Sequence, residues 1–477
     1  MSIKIYNTLT REKEGLKPIK DGEIGMYVCG PTVYDAPHIG HARSAYVFDV
    51  IRRYFIYKGY KVRFVRNITD VDDKIINKAK EEFKEEDLNI AVKNVSDKYL
   101  KVYHDYMEKL GIMQPDAEPK ATEYINKMVD FIKVLILNGA AYQAGGDVYF
   151  DVRKTNKYGK LSNQSFEMLE SGARIVPGEN KKDPLDFALW KSAKEGEPSW
   201  DSPWGKGRPG WHIECSVMSS DILGDEFDIH GGGIDLIFPH HENEIAQSEG
   251  AGKKFARCWI HNGLLTINKE KMAKSLGNFI TIEDILFKYP ADVLKILFLQ
   301  THYSHPVDFS WEKMSEAKKA LDRFCILFEK LDRVKGKAPN HELRSDTGHG
   351  LRVKNVEVDS FKSRFEKAMD DDFNTAEALA VLFDLVTYIN KNFSESYHAQ
   401  DVLVELGKTL GLFESGKISD NSIESSGKAE IENLINLRIA ARKNKDFKEA
   451  DKIRKELEEK GIILEDTKDG KTTWRLK

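Results

Sequence analysis

The chain has 477 residues, with 73 Lys and Arg against 77 Asp and Glu for a net charge of −4. That length exceeds one compact core, so two to four domains are expected, and 41% hydrophobic with 31% charged residues suits a soluble globular enzyme. A global basic field is excluded, and with it indiscriminate nucleic-acid binding, which leaves local patches such as the Lys/Arg-rich segment Arg438–Lys477.

In chain order, Met1-Ser2-Ile3-Lys4-Ile5-Tyr6 lacks a signal peptide's apolar core. No later apolar run reaches membrane-spanning length, so no membrane partner is expected. Four cysteines (Cys29, Cys215, Cys258, Cys325) are too few for a disulfide scaffold, and a cytoplasmic, reducing setting follows as the expectation. Gly25–Cys29 reads as a buried strand, residues from about His41 to Lys58 as a helix closed by Gly59, and Lys61–Ile68 as the next strand. This is a βαβ unit, which predicts a Rossmann-type parallel sheet in an α/β fold. Asn67-Ile68-Thr69-Asp70-Val71-Asp72-Asp73-Lys74 reads as a helix N-terminus capped by Asp or Thr.

From about 115 to 209 the pattern changes to helices, one clear strand (Asp147–Val152) and a loop rich in Gly, Pro and Trp. An insertion into the sheet domain is expected there, with Trp190, Trp200 and Trp204 as packing and loop anchors. Beyond Asp308, amphipathic stretches at Ser310–Lys335 and Phe361–Asn392 predict a helix bundle. Segments 336–359 and 414–429, poor in apolar residues, read as linkers. The expected organisation is a catalytic domain over 1–309, a helical bundle over 310–413, a linker over 414–429 and a small C-terminal module over 430–477.

Four strings carry chemistry. His38 and His41 enter the first helix, where free N–H groups and the helix dipole favour a phosphate, and Gly40 lets a base or ribose approach. Lys271 and Lys274, on a polar loop with Gly277, supply flexible cations for a triphosphate. A soft donor set, Cys29 and Cys215 at strand ends with His240 and Glu244 at i, i+4 on one helix face, suits zinc, with His241 an equal candidate for the imidazole. In Asp228-Ile229-His230-Gly231-Gly232-Gly233-Ile234-Asp235 three glycines after a strand permit close approach of a ligand, and Asp235 can bind a ribose or an ammonium group.

Together these strings resemble the cysteinyl-tRNA synthetase family of class I aminoacyl-tRNA synthetases over essentially the whole chain. The resemblance rests on His38-Ile39-Gly40-His41, Lys271-Met272-Ala273-Lys274-Ser275, Gly207–Ser216, Phe238–Glu244 and Met369-Asp370-Asp371-Asp372-Phe373-Asn374-Thr375. It implies activation of L-cysteine by ATP with Mg²⁺ and transfer to tRNA(Cys), by a protein that is usually monomeric. It also implies one Zn²⁺ on Cys29, Cys215, His240 and Glu244. His38, His41, Lys271 and Lys274 would be catalytic, and Gly40, His41, Gly231, Gly232, Asp235 and Lys274 would meet ATP. Cys29, Thr69 and Trp211 would line the amino-acid pocket, and 430–477 would bind the anticodon, with Arg438, Arg442, Lys443 and Trp474 as RNA contacts. Ala273 departs from the family's usual serine; both lysines remain, so activity is expected to survive. The zinc has a physical rationale in selection: an apolar pocket rejects serine by only about 10²-fold where translation requires roughly 10⁴. A metal that prefers thiolate to hydroxyl closes that gap without an editing domain.

Overall fold

The computed structural model describes residues 2–155, 157–172, 180–272, 277–335, 356–393, 397–413, 425–443, 446–459, 462–466 and 472–476. A hairpin, β1 (Lys4–Asn7) and β2 (Glu12–Gly15), precedes β3 (Glu23–Val28), α1 (Ile39–Tyr57) and β4 (Lys61–Arg66). β3 and β4 are parallel, with Met26 opposite Phe64, as the βαβ pattern predicts. α1 begins at Ile39 because two histidines form its capping box: the Nδ1 of His38 accepts from Gly40 N at 3.1 Å, and that of His41 from His38 N at 3.2 Å. Gly59, at φ 88°, follows its C-terminus. The helix is buried on several sides, since Phe48 and Phe55 pack in the core while Tyr46 Oη donates to Leu410 O and Tyr54 Oη to Asp370. Each large ring so buried contributes about 1.5–3 kcal/mol.

α2 (Asp73–Glu82) and α3 (Leu88–Lys109) follow, capped by Asp72 and Asp87, which agrees with the acidic N-terminus expected at 67–74. The insertion contains α4 (Ile125–Leu137), β5 (Ala141–Ala144), β6 (Asp147–Phe150), α5 (Phe166–Gly172), β7 (Phe187–Ser192) and β8 (Gly207–Pro209). Where the sequence suggests one strand, the structure has an antiparallel sheet ordered β5-β6-β7-β8. β5 escapes notice because Ala-Tyr-Gln-Ala has little strand character; its pairing depends on the positive-φ turn Gly145-Gly146.

The chain returns through α6 (Trp211–Leu223), β9 (Phe227–Gly233), α7 (Glu242–Gly250) and β10 (Ala256–Asn262). The parallel sheet is then β10-β9-β3-β4. β11 (Leu265–Ile267) pairs antiparallel with β12 (Glu270–Lys271), and after α8 (Ile282–Lys288) and α9 (Ala291–Leu299) it pairs parallel with β13 (Val307–Phe309). Positive φ at Asn268 and Lys269 makes the tight β11–β12 turn.

α10 (Trp311–Lys335), α11 (Val356–Asp370), α12 (Thr375–Lys391) and α13 (Tyr397–Thr409) form the bundle, its apolar faces joining the core beneath α1. The amphipathic stretch Phe361–Asn392 is two helices, broken where Asp372 and Phe373 adopt φ of 63° and 52°. α14 (Ser425–Lys443), α15 (Phe447–Glu459), β14 (Ile462–Asp466) and β15 (Thr472–Leu476) end the chain around Ile431, Ile435, Ile453, Leu457 and Ile462. Arg438 is 5% exposed within that module, whereas Arg442 is exposed. The side chains of Lys443 and Trp474 lie outside the described residues. Among the described residues no helix is long and apolar enough to cross a membrane.

Candidate active site

In open parallel sheets, ligands bind beyond the carboxyl ends of the strands. That edge gathers the chemistry-bearing residues. Cys29 follows β3, Thr69 lies just past β4, and His230–Gly232 and His261 end β9 and β10. The N-terminus of α1 opens onto the same edge.

Cys215 reaches it from α6, a helix rather than the strand end expected from sequence. The string Trp-His-Ile-Glu-Cys-Ser has no strand-like alternation, and Gly210 at the N-cap lets the helix start directly after β8. Cys29 Sγ is 3.6 Å from Cys215 Sγ, 3.6 Å from Glu244 Oε1 and 3.3 Å from His241 Nε2. His240 Nε2 lies 3.2 Å from Glu244 Oε1; His240 occupies the irregular turn Ile237–His241 that leads into α7. The structure thus brings Cys29, Cys215, His240 and Glu244 together with donor atoms within 4.8 Å of one another, and Cys29, His230, His241 and Glu244 meet the same criterion. His241 is also hydrogen-bonded through Nδ1 to His261 Nε2 at 2.8 Å, and His230 Nε2 to Glu244 Oε2 at 2.8 Å. These bonds make His230 and His261 supports for the cluster.

The donor set passes a chemical test for zinc. A tetrahedral site with Zn–S of about 2.3 Å separates its sulfurs by about 3.8 Å, close to the 3.6 Å between Cys29 and Cys215. Burial pushes the thiols of Cys29 and Cys215 and the carboxyl of Glu244 up, and His240 down. Each group is therefore driven toward neutrality: a buried divalent cation would displace the protons of the thiols and the carboxyl, and would meet the imidazole already in its neutral, ligating form. Two thiols disfavour the hard ions Mg²⁺ and Ca²⁺.

Thr69 is buried, and its hydroxyl donates to Glu214 Oε2 at 2.6 Å, one residue before Cys215. Trp211 is 38% exposed and stacks on His240 with ring centroids 4.0 Å apart. Gly231 and Gly232 are buried, and a Cβ there would lie 2.3 Å from Phe48 and 2.8 Å from His241. Their lack of a side chain serves packing, in addition to any approach by a ligand. Asp235 is exposed beside them.

His38 and His41 stack with centroids 3.8 Å apart. Because each accepts a backbone N–H at Nδ1, the neutral ring carries its proton on Nε2. Burial, with repulsion from His38, pushes His41 down to about 3, so it is neutral at pH 7. Met272 and residues 279–282, on either side of 273–276, lie against this turn. Ile39 N donates to Ile280 O and Ile282 N to Pro37 O, Phe279 sets its ring edge on His38, and Met272 Cε is 3.7 Å from the Cβ position of Gly40. The backbone of Lys271 is in β12; its side chain, with Ala273 and Lys274, lies outside the described residues.

Sequence reasoning does not single out His212, His230, His261, Glu214, Glu242 or Arg43. Glu242 illustrates the signal available: this buried carboxylate accepts from the N–H groups of Gly159, Leu161 and Ser162, tying the insertion to α7. A run of two histidines, two acids and an asparagine in Pro239–Glu244 is too polar for the first turn of a buried helix unless each finds a partner.

Known proteins match this arrangement along its length. Family models match as the tRNA synthetases class I (C) catalytic domain at residues 15–319, the DALR domain at 364–414 and the cysteinyl-tRNA ligase anticodon binding domain at 426–475. Cysteine–tRNA ligase from Finegoldia magna is 49% identical, covering 98% of both chains; that from Sulfurihydrogenibium sp. YO3AOP1 is 52% identical over 100% of both. The chain belongs to the cysteinyl-tRNA synthetase family. As a member it is an enzyme, a cysteine–tRNA ligase of the class I fold. Among solved structures, this synthetase resembles Mycobacterium tuberculosis methionyl-tRNA synthetase in complex with methionyl-adenylate, with TM-score 0.59 at 15% identity over 81% of this chain and 89% of that one. A putative arginyl-tRNA synthetase from Campylobacter jejuni gives TM-score 0.53 at 17% identity over 85% and 95%. At those identities the likeness is one of fold.

Proposed function

We propose that this ligase selects cysteine through a zinc ion held by Cys29, Cys215, His240 and Glu244 and activates it on the turn bearing His38 and His41. The observation that carries the reading is the convergence of two thiols, an imidazole and a carboxylate at the carboxyl edge of the sheet. When bound, the ion supplies a soft Lewis acid that favours the substrate's sulfur over the oxygen of serine.

The chain's own groups do the rest. Thr69, held by Glu214, and Trp211, stacked on His240, flank the amino acid. Beside them the amino terminus of α1, whose first N–H groups are bonded to Ile280 O, His38 Nδ1 and His38 O, offers its positive dipole end to the phosphates of Mg-ATP. The Nε2–H groups of His38 and His41 donate to oxygens around the α-phosphate as the cysteine carboxylate attacks and pyrophosphate leaves, which lowers the barrier because charge grows there in the transition state. Gly40 leaves room for the ribose, and Gly231, Gly232 and Asp235 border the nucleotide. Lys271 and Lys274 follow the charge onto pyrophosphate. The terminal adenosine of tRNA(Cys) then accepts the cysteinyl group, with the module of α14, α15, β14 and β15 reading the anticodon. The protein works as a cytoplasmic monomer, organised as a catalytic domain over 1–309 with its insertion at about 115–209, a bundle over 310–413, and a terminal module whose first helix, α14, begins at Ser425, inside the 414–429 segment expected as linker.

The test is exchange of labelled pyrophosphate into ATP, with cysteine and with serine, on protein assayed for metal. Exchange with cysteine only, about one zinc per chain, and loss of both zinc and cysteine selectivity in His240→Ala are expected. Cysteine-selective exchange by metal-free protein would sink the zinc reading.

A further inference from the structure

Arg43, one turn into α1 past His38–His41, is 1% exposed. Its hydrogen-bond partners among the described residues are backbone carbonyls and no carboxylate. Nη1 donates to Gly263 O and Leu264 O, both at 2.6 Å, and Nη2 to Tyr303 O at 3.2 Å and to His305 O. A buried guanidinium without a counter-ion is costly, and burial alone pushes Arg43 down to about 10, so it is still charged at pH 7. Four carbonyl dipoles offset that cost only while all four remain in place. Arginine's planar fork suits this geometry, which a point-charge ammonium cannot reproduce.

The four carbonyls are not scattered. Gly263 and Leu264 lead into β11, and Tyr303 and His305 lead toward β13, the two parallel strands on which β12 with Lys271 is built. The lead-ins touch: Gly263 N donates to Tyr303 O at 2.9 Å, and a Cβ on Gly263 would lie 2.4 Å from His305 O. Tyr303 Oη in turn donates to Asp372 Oδ1 at 2.8 Å, and His302 Nε2 bonds Asp372 O at 2.8 Å, which anchors the second lead-in to the break between α11 and α12. On the other side of the lysine-bearing loop, residues 279–282 are pinned to Pro37–Ile39. Both flanks of that loop are therefore referenced to the first turn of α1, one through backbone pairing and one through a single buried cation.

We propose that Arg43 is a positioning residue for the activation step, locking α1 to the lead-ins of β11 and β13, with Tyr303–Asp372 as the outer anchor, so that the His38–His41 turn and the Lys271 strand keep one spacing. This rests on the reading that those two strings face ATP. Misplacement of reacting groups by about 1 Å costs on the order of 10²-fold in rate. Arg43→Lys retains the charge but satisfies fewer carbonyls, and Arg43→Met satisfies none.

The experiment is cysteine-dependent pyrophosphate exchange on zinc-loaded wild type, Arg43→Lys, Arg43→Met and Tyr303→Phe, with thermal unfolding, metal content and the fraction of active sites measured on each. We expect kcat per active site to fall about 10²-fold in Arg43→Met, less in Arg43→Lys, with KM for cysteine unchanged. Tyr303→Phe loses one hydroxyl and keeps its ring; it should show a smaller fall of the same kind. A purely structural role would lower the melting temperature and the active fraction and leave kcat per active site alone, and that result overturns the proposal. Should the Arg43 variants not fold, wild-type kcat in Tyr303→Phe overturns it equally. Absence of exchange in the wild type sinks the underlying ATP-site reading instead, and this proposal with it.

Discussion

His230 shows what a single buried side chain can decide. It lies in β9 with no exposure, and its Nε2 bonds the oxygen of Glu244 that does not face His240. The bond divides the carboxylate's work, one oxygen toward the support and one toward the thiols. Burial pushes His230 down to about 3, so the neutral ring donates a hydrogen bond and brings no charge. Removing an outer partner of a metal ligand costs about 10–100-fold in affinity. His230→Asn, which cannot span the same gap, should lower zinc affinity by that factor in competition with a chelator, while His104→Asn, at a half-exposed site paired with Glu118, leaves it unchanged. Equal affinities in the two variants would reduce His230 to packing. Nothing in the sequence marks His230 for this role, since one histidine before three glycines reads equally well as a turn. The two cysteines and His240-His241 were legible because their chemistry narrows the choices; their supports depend on which strands lie side by side, information that a linear chain does not carry.

At the scale of elements, the starts of helices matter more than their lengths. α6 carries Trp211 and Cys215 and begins hard against β7: a Cβ on its N-cap Gly210 would lie 2.0 Å from Ala188 O, a backbone atom with no rotamer to escape into. Gly210→Ala must therefore push the helix off the sheet. Overpacking of this kind costs about 1–3 kcal/mol. A lowered melting temperature and a zinc content below one per chain are expected together, because the displaced helix carries Cys215, a proposed zinc ligand; a lowered melting temperature with full metal would mean that α6 relaxes without moving Cys215. The same contact explains where reading from sequence falls short. β3, α1 and β4 announce themselves by apolar periodicity, so the parallel sheet is visible at once. β8 is Gly-Arg-Pro, three residues with no strand propensity, paired because Trp190, Lys191 and Ser192 present a partner edge. Cys215 was expected on a strand end for want of that context. Likewise the break at Asp371–Asn374 is hidden in amphipathic spacing that continues across it.

At the scale of the whole molecule, the core closes at Phe413. That residue packs on Phe324 and Phe328, its N–H donates to Asp292, and Leu410 and Leu412 are fully buried beneath it. The terminal module has a small core of its own, and among the described residues Phe287 of α8 packs against that core from outside the module. α8 follows the lysine-bearing loop, so the contact sits near the activation site without forming it. Removing residues 414–477 uncovers Phe287, a loss of about 1–2 kcal/mol, and leaves every described donor, histidine and carbonyl of the candidate active site in place. Cysteine-dependent pyrophosphate exchange should persist within about 3-fold. Charging of tRNA(Cys) should fall by at least about 10²-fold in kcat/KM, equivalent to about 2.7 kcal/mol of transition-state binding. The residual charging should depend less steeply on salt, since exposed cations of the module such as Arg442 no longer meet phosphates. Parallel loss of exchange and charging would mean that the Phe287 contact holds the activation site in shape. Undiminished charging would instead assign recognition of the tRNA to the bundle of α10–α13, whose break at Asp372 is already bonded to the lead-in of β13.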